Sequence, residues 1–276
     1  MTELYMLTEH ANYAFMMGFV FLTDDGRAVV IDGGRPEDMP NLLAIVGERE
    51  IAAWILTHPH FDHIAGFNAL MATGFDTEKI GKVYYNFPSV EFVEKCEPQY
   101  TDRRDFEELL PKLGDKAVVA KPGMQVQVDE LHIEFLFSGG ERYYLPFPNL
   151  AINESSLVFR VTAPGMKCVL FLGDLGAKGG MDLLKTYGDK LKSEIVQMAH
   201  HGHCGVTEEV YQAIAPEACM WCAPDWLYEE EEMEFEPGLW GTKRTRKWME
   251  KLGVKTHYVT KDGTLKIDIL KKETER

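Results

Sequence analysis

Six consecutive residues, His58-Pro59-His60-Phe61-Asp62-His63, place three imidazoles and one carboxylate side by side. Both groups are ligands for divalent metals, and H-x-H-x-D-H holds more such side chains in one short stretch than packing calls for. His58 and His60, two apart in extended chain, project to the same side. Asp62 and His63 come where the chain can turn toward a neighbouring point, so the set suits two adjacent metal ions better than one. Only 9 of 276 residues are histidine, which makes a fortuitous cluster or a surface patch a poor account.

The flanking pattern places the cluster. Residues 51–56 (IAAWIL) are a short apolar run that reads as a buried strand, and residues 63–74 have helical spacing ending at Gly74. The motif therefore occupies a strand-to-helix turn, where ligands collect beyond the carboxyl ends of strands in open α/β sheets. Three further strand ends carry chemistry. Residues 28–31 lead to Asp32-Gly33-Gly34, 167–172 to Gly173-Asp174, and 194–199 to His200-His201-Gly202-His203. Asp174 is the best candidate for a carboxylate bridging two cations. Asp32 fits either a hydrogen bond to the metal loop or a plain turn.

The remaining strands are expected at 5–8, 13–23, 83–86, 125–129, 131–137, 155–162, 218–222, 256–259 and 264–269. Helices are expected after Pro40, over 102–113, after Asp174, over 207–214 and over 242–252. His132, alone in a strand, reads as structural. Neither half offers a linker at which to cut. The chain reads as a single α/β (α+β) domain over residues 1–276, two sheets packed together with helices outside both.

Composition narrows the function classes. Hydrophobic residues make up 45% of the chain, enough for a full core. The five cysteines, an odd number, read as reduced thiols, and Cys219-Met-Trp-Cys222 lies in an apolar strand without a second pair. With no basic leader and no apolar span, a cytoplasmic location and no membrane are expected. The net charge of -15 argues against a nucleic acid partner.

The segments IDGG (31–34), THPHFDHIAGF (57–67), LFLGDL (170–175) and AHHGHCG (199–205) resemble, in that order and spacing, the metallo-β-lactamase superfamily of metal-dependent hydrolases. NESSLVFRV (153–161), the paired His-His-Gly and the ending VKTHYVTKDGTLKI (254–267) are most similar to one branch. It contains the hydrolase domains of DNA-competence channel proteins and the teichoic-acid phosphorylcholine esterases. The resemblance implies a four-layer αββα sandwich, the metallo-β-lactamase fold, with a two-metal site at the edge of the sheets. His58 and His60 would bind one metal, Asp62 and His63 the other, and Asp174 would bridge them, with Asp32 in structural support. The last histidine ligand falls in the His200-His201 pair. His200 is expected because it directly ends the strand, with His201 beside it as a proton donor or, in the reverse assignment, as the ligand. Many members carry a histidine where this chain has Asn153. An amide oxygen is a poorer zinc ligand than imidazole, so the first metal is expected to be held weakly, or to be Mn or Fe instead of Zn.

Two divalent ions about 3.5 to 4 Å apart would lower the pKa of a shared water from near 16 toward 7. The resulting metal-bound hydroxide would attack phosphorus or a carbonyl carbon, with Asp62 as the central catalytic ligand. His201 or His203 would protonate the leaving group, although His203 also reads as a solvated loop histidine. Tyr143, Tyr144 and Phe147 in one irregular loop, and Trp226, Tyr228, Phe235 and Trp240 around the glutamate run at 229–236, are candidates to bind substrate. Aromatics mixed with carboxylates suit a cationic head such as choline; the plainer reading is a solvated acidic loop. The expected function is hydrolysis of a small phosphoester or phosphodiester. The alternatives are a carbonyl substrate (lactone, thioester or amide) or a non-catalytic metal sensor. The partner is then a small molecule, and the oligomeric state is left open.

Overall fold

The computed structural model describes residues 1–11, 14–144, 151–229 and 241–271. The first sheet is built from β1 (Glu3–Met6), β2 (Gly18–Leu22), β3 (Ala28–Asp32), β4 (Ile51–Ile55), β5 (Ile80–Tyr85) and β6 (Ala117–Val119). The second holds β7 (Gln125–Val128), β8 (Leu131–Phe137), β9 (Val158–Thr162), β10 (Val169–Phe171), β11 (Ile195–Gln197), β12 (Ala218–Trp221) and β13 (Thr256–Val259). The last strand, β14 (Leu265–Ile267), returns to the first sheet beside β1. The two sheets run β14-β1-β2-β3-β4-β5-β6 and β13-β12-β11-β10-β9-β8-β7. Each has the same plan, with antiparallel pairs giving way to parallel ones at β3 and at β10.

Both sheets bury both faces, which is why β3 (AVVID) and β4 read as continuous apolar runs. Between the sheets lie Phe19, Phe21, Phe135, Phe159 and Phe171. The outer face of the first sheet packs on α1 (Met39–Val46), α2 (Phe61–Ala72) and α4 (Asp102–Leu113), with α3 (Val90–Cys96) beside α4. The outer face of the second packs on α5 (Ala177–Tyr187), α6 (Glu208–Ile214), α7 (Asp225–Glu229) and α8 (Lys243–Lys251). The αββα expectation is met. No helix among the described residues is long and apolar enough to cross a membrane.

Three strand expectations change, each near the histidines. Of the strand expected over 13–23, Tyr13 lies outside the described residues and pairing starts only at Gly18. The Met17 amide instead donates to the Asp62 carbonyl at 3.1 Å, which draws residues 14–17 onto the metal loop. The strand expected over 155–162 starts at Val158 because Asn153–Ser155 winds into a 3-10 turn. The strand expected over 194–199 ends at Gln197, and Ala199–Gly202 turns sharply.

Helix α4 buries Arg103, Phe106, Leu109 and Leu113 at helical spacing. At its start the Asp102 carboxyl is pushed up to about 6, chiefly by burial and also by the neighbouring Asp105. A folded-state pKa above the unfolded value gives stability that is full below about pH 4 and is lost as pH rises through 6. Asp102→Asn is therefore expected to stabilise the protein at pH 8 by ~1 kcal/mol, allowing for solvent screening, or about 2–4 °C in Tm. At pH 4 the gain should vanish. Thermal melts showing the same offset at both pH values would refute this.

Candidate metal centre

The site is built where β3, β4, β10 and β11 end at one edge of the seam between the sheets. Asp32 closes β3 with a positive φ of 50° and is fully buried. Its Oδ1 accepts from the Thr57 amide at 2.7 Å, and its Oδ2 accepts from Thr57 Oγ1 and His63 Nδ1, each at 2.7 Å. This bond fixes the His63 tautomer and leaves Nε2 as the free lone pair, the usual second role of a carboxylate behind a metal-binding imidazole. The plain-turn reading of Asp32 is thereby set aside.

After β4 the chain stays extended through His60, which caps α2. His58 Nε2 and His60 Nδ1 converge to 3.1 Å. Helix α2 then turns Asp62 and His63 to the other side. From the second sheet Asp174 enters between them. Gly173 makes this approach possible: its φ is 56°, and a Cβ there would lie 3.0 Å from Ser156 Cβ and 3.2 Å from Thr57 Cβ. Ser156 Oγ accepts from the Asp174 amide at 3.0 Å. Asp174 Oδ2 lies 3.3 Å from His63 Nε2, 3.5 Å from His201 Nε2, 3.7 Å from His58 Nε2 and 3.9 Å from His200 Nε2.

The histidine pair is arranged opposite to the sequence expectation. Both residues have left-handed φ, 52° and 55°, a strained arrangement of the kind that collects at functional sites. His201 Nδ1 donates to the Cys222 carbonyl at 2.8 Å, so its Nε2 faces Asp62 Oδ2 at 3.0 Å. Ligand atoms of Asp62, His63, Asp174 and His201 all lie within 4.8 Å of one another. His200, the residue preferred from the sequence, instead takes a hydrogen bond on Nε2 from Asn153 Nδ2 at 3.0 Å. Its ring centre lies 3.8 Å from that of His203, tilted by 40°, and His203 is buried and not a solvated loop residue.

Glu97 has no counterpart in the sequence reading. Fully buried, it accepts from the Ile152 amide at 2.8 Å through Oε1 and bonds His60 Nε2 at 2.9 Å through Oε2. It thus fixes the His60 tautomer with Nδ1 toward His58. Glu97 sits in a charged stretch whose pattern gives no sign of this. Phe15, Arg35 and Tyr100 are further unforeseen neighbours: Phe15 packs 4.8 Å from the His201 ring and Tyr100 4.6 Å from that of His60.

The substrate candidates divide. Trp226 packs 6.0 Å from Phe15 and so borders the site. Tyr143 donates to Asp182 and carries Arg142 at 5.9 Å over its ring, while Tyr144 packs on Phe92 and carries Lys95 at 4.8 Å. These partners lie outside the histidine cluster. Phe147, Phe235, Trp240 and residues 230–236 of the glutamate run lie outside the described residues.

The residues fit divalent cations. His63 Nε2, Asp174 Oδ1 and Asn153 Oδ1 are buried and have no hydrogen-bond partner among the described residues. Buried polar atoms left so are uncommon and expensive. The charges agree. Burial alone would raise Asp174, but His63, His201 and His58 hold it well below the usual carboxylate range. Burial alone would lower His201, yet Asp174 and Asp62 push it up to about 9, and His63 is likewise held well above its ordinary value. Protons here stand where cations would. His58 is instead lowered, by burial and by the neighbouring His63, and burial takes His200 down to about 4.

Comparison with known proteins agrees. The metallo-beta-lactamase superfamily model matches residues 16–201. No curated protein is significantly similar in sequence. Among solved structures, the metallo-beta-lactamase fold protein YhfI from Bacillus subtilis superposes with a TM-score of 0.58 at 13% identity, covering 97% of this chain and 100% of its own. CmlA, a diiron beta-hydroxylase from Streptomyces venezuelae, gives a TM-score of 0.54 at 13% identity over 96% of this chain and 54% of its own. At such identity these neighbours share the fold alone, whereas the family match spans more than half the chain. With the histidine motif, the buried Asp174 and the double sheet in place, the chain belongs to the metallo-beta-lactamase superfamily.

Proposed function

We propose that the protein is a metal-dependent hydrolase of a small phosphoester or phosphodiester. The observation that carries this reading is Asp174 Oδ2, which lies 3.3 to 3.7 Å from the Nε2 atoms of His58, His63 and His201. Asp62, His63, Asp174 and His201 would hold one divalent ion, and His58, His60 and Asp174, with the Asn153 amide, a second, as Zn, Mn or Fe. When bound, such a pair supplies Lewis-acid polarisation of a substrate oxygen and a water acidic enough to react near neutral pH.

The chain's own groups prepare the rest. Asp32, Glu97 and the Cys222 carbonyl hold His63, His60 and His201 in single tautomers, so no reorientation is needed when substrate arrives. Phe15 and Tyr100 cover the outer imidazoles and keep bulk water from them. His203, packed against His200, is the candidate proton donor to a leaving group.

The test is an activity panel on protein purified without chelators, with bound metal counted. Bis(4-nitrophenyl) phosphate and 4-nitrophenyl phosphate would be set against a lactone and a thioester. We expect phosphoester turnover, loss on chelation and recovery with added metal. Turnover of the carbonyl esters alone would replace this reading with carbonyl hydrolysis, and inactivity toward all four would favour a sensor.

A further inference from the structure

We infer that Arg35 is a specificity-determining residue that selects an anionic phosphoryl group at the mouth of the site, an inference that rests on the hydrolase reading above. Its guanidinium carbon lies 4.5 Å from the centre of the Phe61 ring and 5.9 Å from that of Phe15. Both rings belong to the rim of the metal cluster. Phe61 stands between His60 and Asp62 and stacks at 5.7 Å on Tyr100, which packs on His60. Phe15 packs on His201 at 4.8 Å. An aromatic rim therefore runs from one end of the site to the other with a cation bracketed in it.

That cation has no internal use. Among the described residues Arg35 forms no ion pair, and its buried Nε has no hydrogen-bond partner. The nearby carboxylate, Asp38, is fully buried and already engaged: it accepts from the Arg35 amide at 2.8 Å, from the His10 amide at 2.7 Å, and pairs with His10 Nδ1 at 2.9 Å. A guanidinium whose buried Nε has no partner beside a substrate site is costly unless an external acceptor completes it. Arginine's planar fork is matched to phosphoryl oxygens.

The backbone holds it there by design. The Gly66 amide donates to the Gly34 carbonyl at 2.8 Å, and a Cβ at Gly66 would lie 2.8 Å from the Arg35 carbonyl. Glycine in α2 thus lets the loop after β3 close against the helix that carries Asp62 and His63.

The cations already on several aromatic rings argue against a cationic head on the substrate. Phe15 and Phe61 share Arg35, Tyr143 has Arg142, Tyr144 has Lys95, and Tyr228 has Arg246 at 4.8 Å. These five rings already carry protein cations in place of an ammonium. On a chain of net charge -15, a local guanidinium also counters the general repulsion an anion meets.

The experiment titrates phenylphosphonate, a non-hydrolysable anion, into the metal-loaded wild type, Arg35→Met and Arg35→Lys by calorimetry, with benzamide as neutral control. Metal content and Tm are measured on each. Arg35→Met keeps an apolar stem against the two rings and removes the charge. We expect roughly 10- to 100-fold weaker phenylphosphonate binding in Arg35→Met, a smaller loss in Arg35→Lys, unchanged metal content, and a Tm no lower than that of the wild type. Equal phenylphosphonate affinity in wild type and Arg35→Met, or no binding to wild type, would overturn the inference. So would benzamide binding that falls as much as phenylphosphonate binding. Binding is read without turnover. A protein that cleaves no ester yet binds phenylphosphonate through Arg35 refutes only the hydrolase reading, and one that cleaves phosphoesters while binding is indifferent to Arg35 refutes only this inference.

Discussion

Asp174→Asn should lose both metal and hydrolysis, the latter by roughly 1,000-fold or more, which corresponds to the several kcal/mol a metal centre contributes to a transition state. The substitution preserves shape and changes charge, so its effect isolates electrostatics. Asp174 Oδ2 faces four imidazole nitrogens within 3.9 Å, and no other carboxylate in the cluster reaches both His58 and His201. An amide supplies neither the negative charge nor a bridge between two cations. The fold should survive, because without Asp174 the neighbouring His63 and His201 can shed their protons instead of remaining as buried charges. Metal analysis, turnover and circular dichroism on the same preparation decide it. A variant with full metal and an unchanged rate would remove the bridging role.

The second large effect separates two adjacent residues. His201→Ala is expected to empty the ion position shared with Asp62, His63 and Asp174 and to lower turnover by about 1,000-fold, because a ligand of the central cluster is gone. His200→Ala should keep that ion. It removes the acceptor of the Asn153 amide and the ring packed against His203, so a loss of about 10- to 100-fold is expected, in line with residues that orient a metal site from behind. Equal metal loss in both variants, or loss only in His200→Ala, would restore the assignment read from the sequence.

That assignment shows where sequence reasoning stops. Each metal-capable side chain lies at the end of an apolar strand, so the convergence of His58–His63, Asp174 and the His200–His201 pair was legible from pattern alone. Which of two neighbouring imidazoles points inward was not. It is decided by two left-handed backbone positions and by the Cys222 carbonyl, 21 residues further on. Glu97 was invisible for a related reason: its partner lies 37 residues away and its own surroundings are an ordinary charged stretch. Phe15 was absorbed into an expected strand, since nothing in AFMMGFVFL marks the point where the chain leaves the sheet for the metal loop. The layered fold was legible because strands and helices alternate in two similar halves. The edge strand β6 was not, because three residues carry no periodicity.

The return of β14 to the first sheet bears on how the protein is made. Both sheets contribute to the site, with Asp62 and His201 meeting across 139 residues of chain. A chain leaving the ribosome presents His58 to His63 long before Asp174 and His201, and the outer edge of β1 stays unpaired until β14 has emerged. Pairings of such long range form late and slowly. The cluster therefore stays incomplete until His201 has emerged, and in the interval the histidine motif is a partial ligand set.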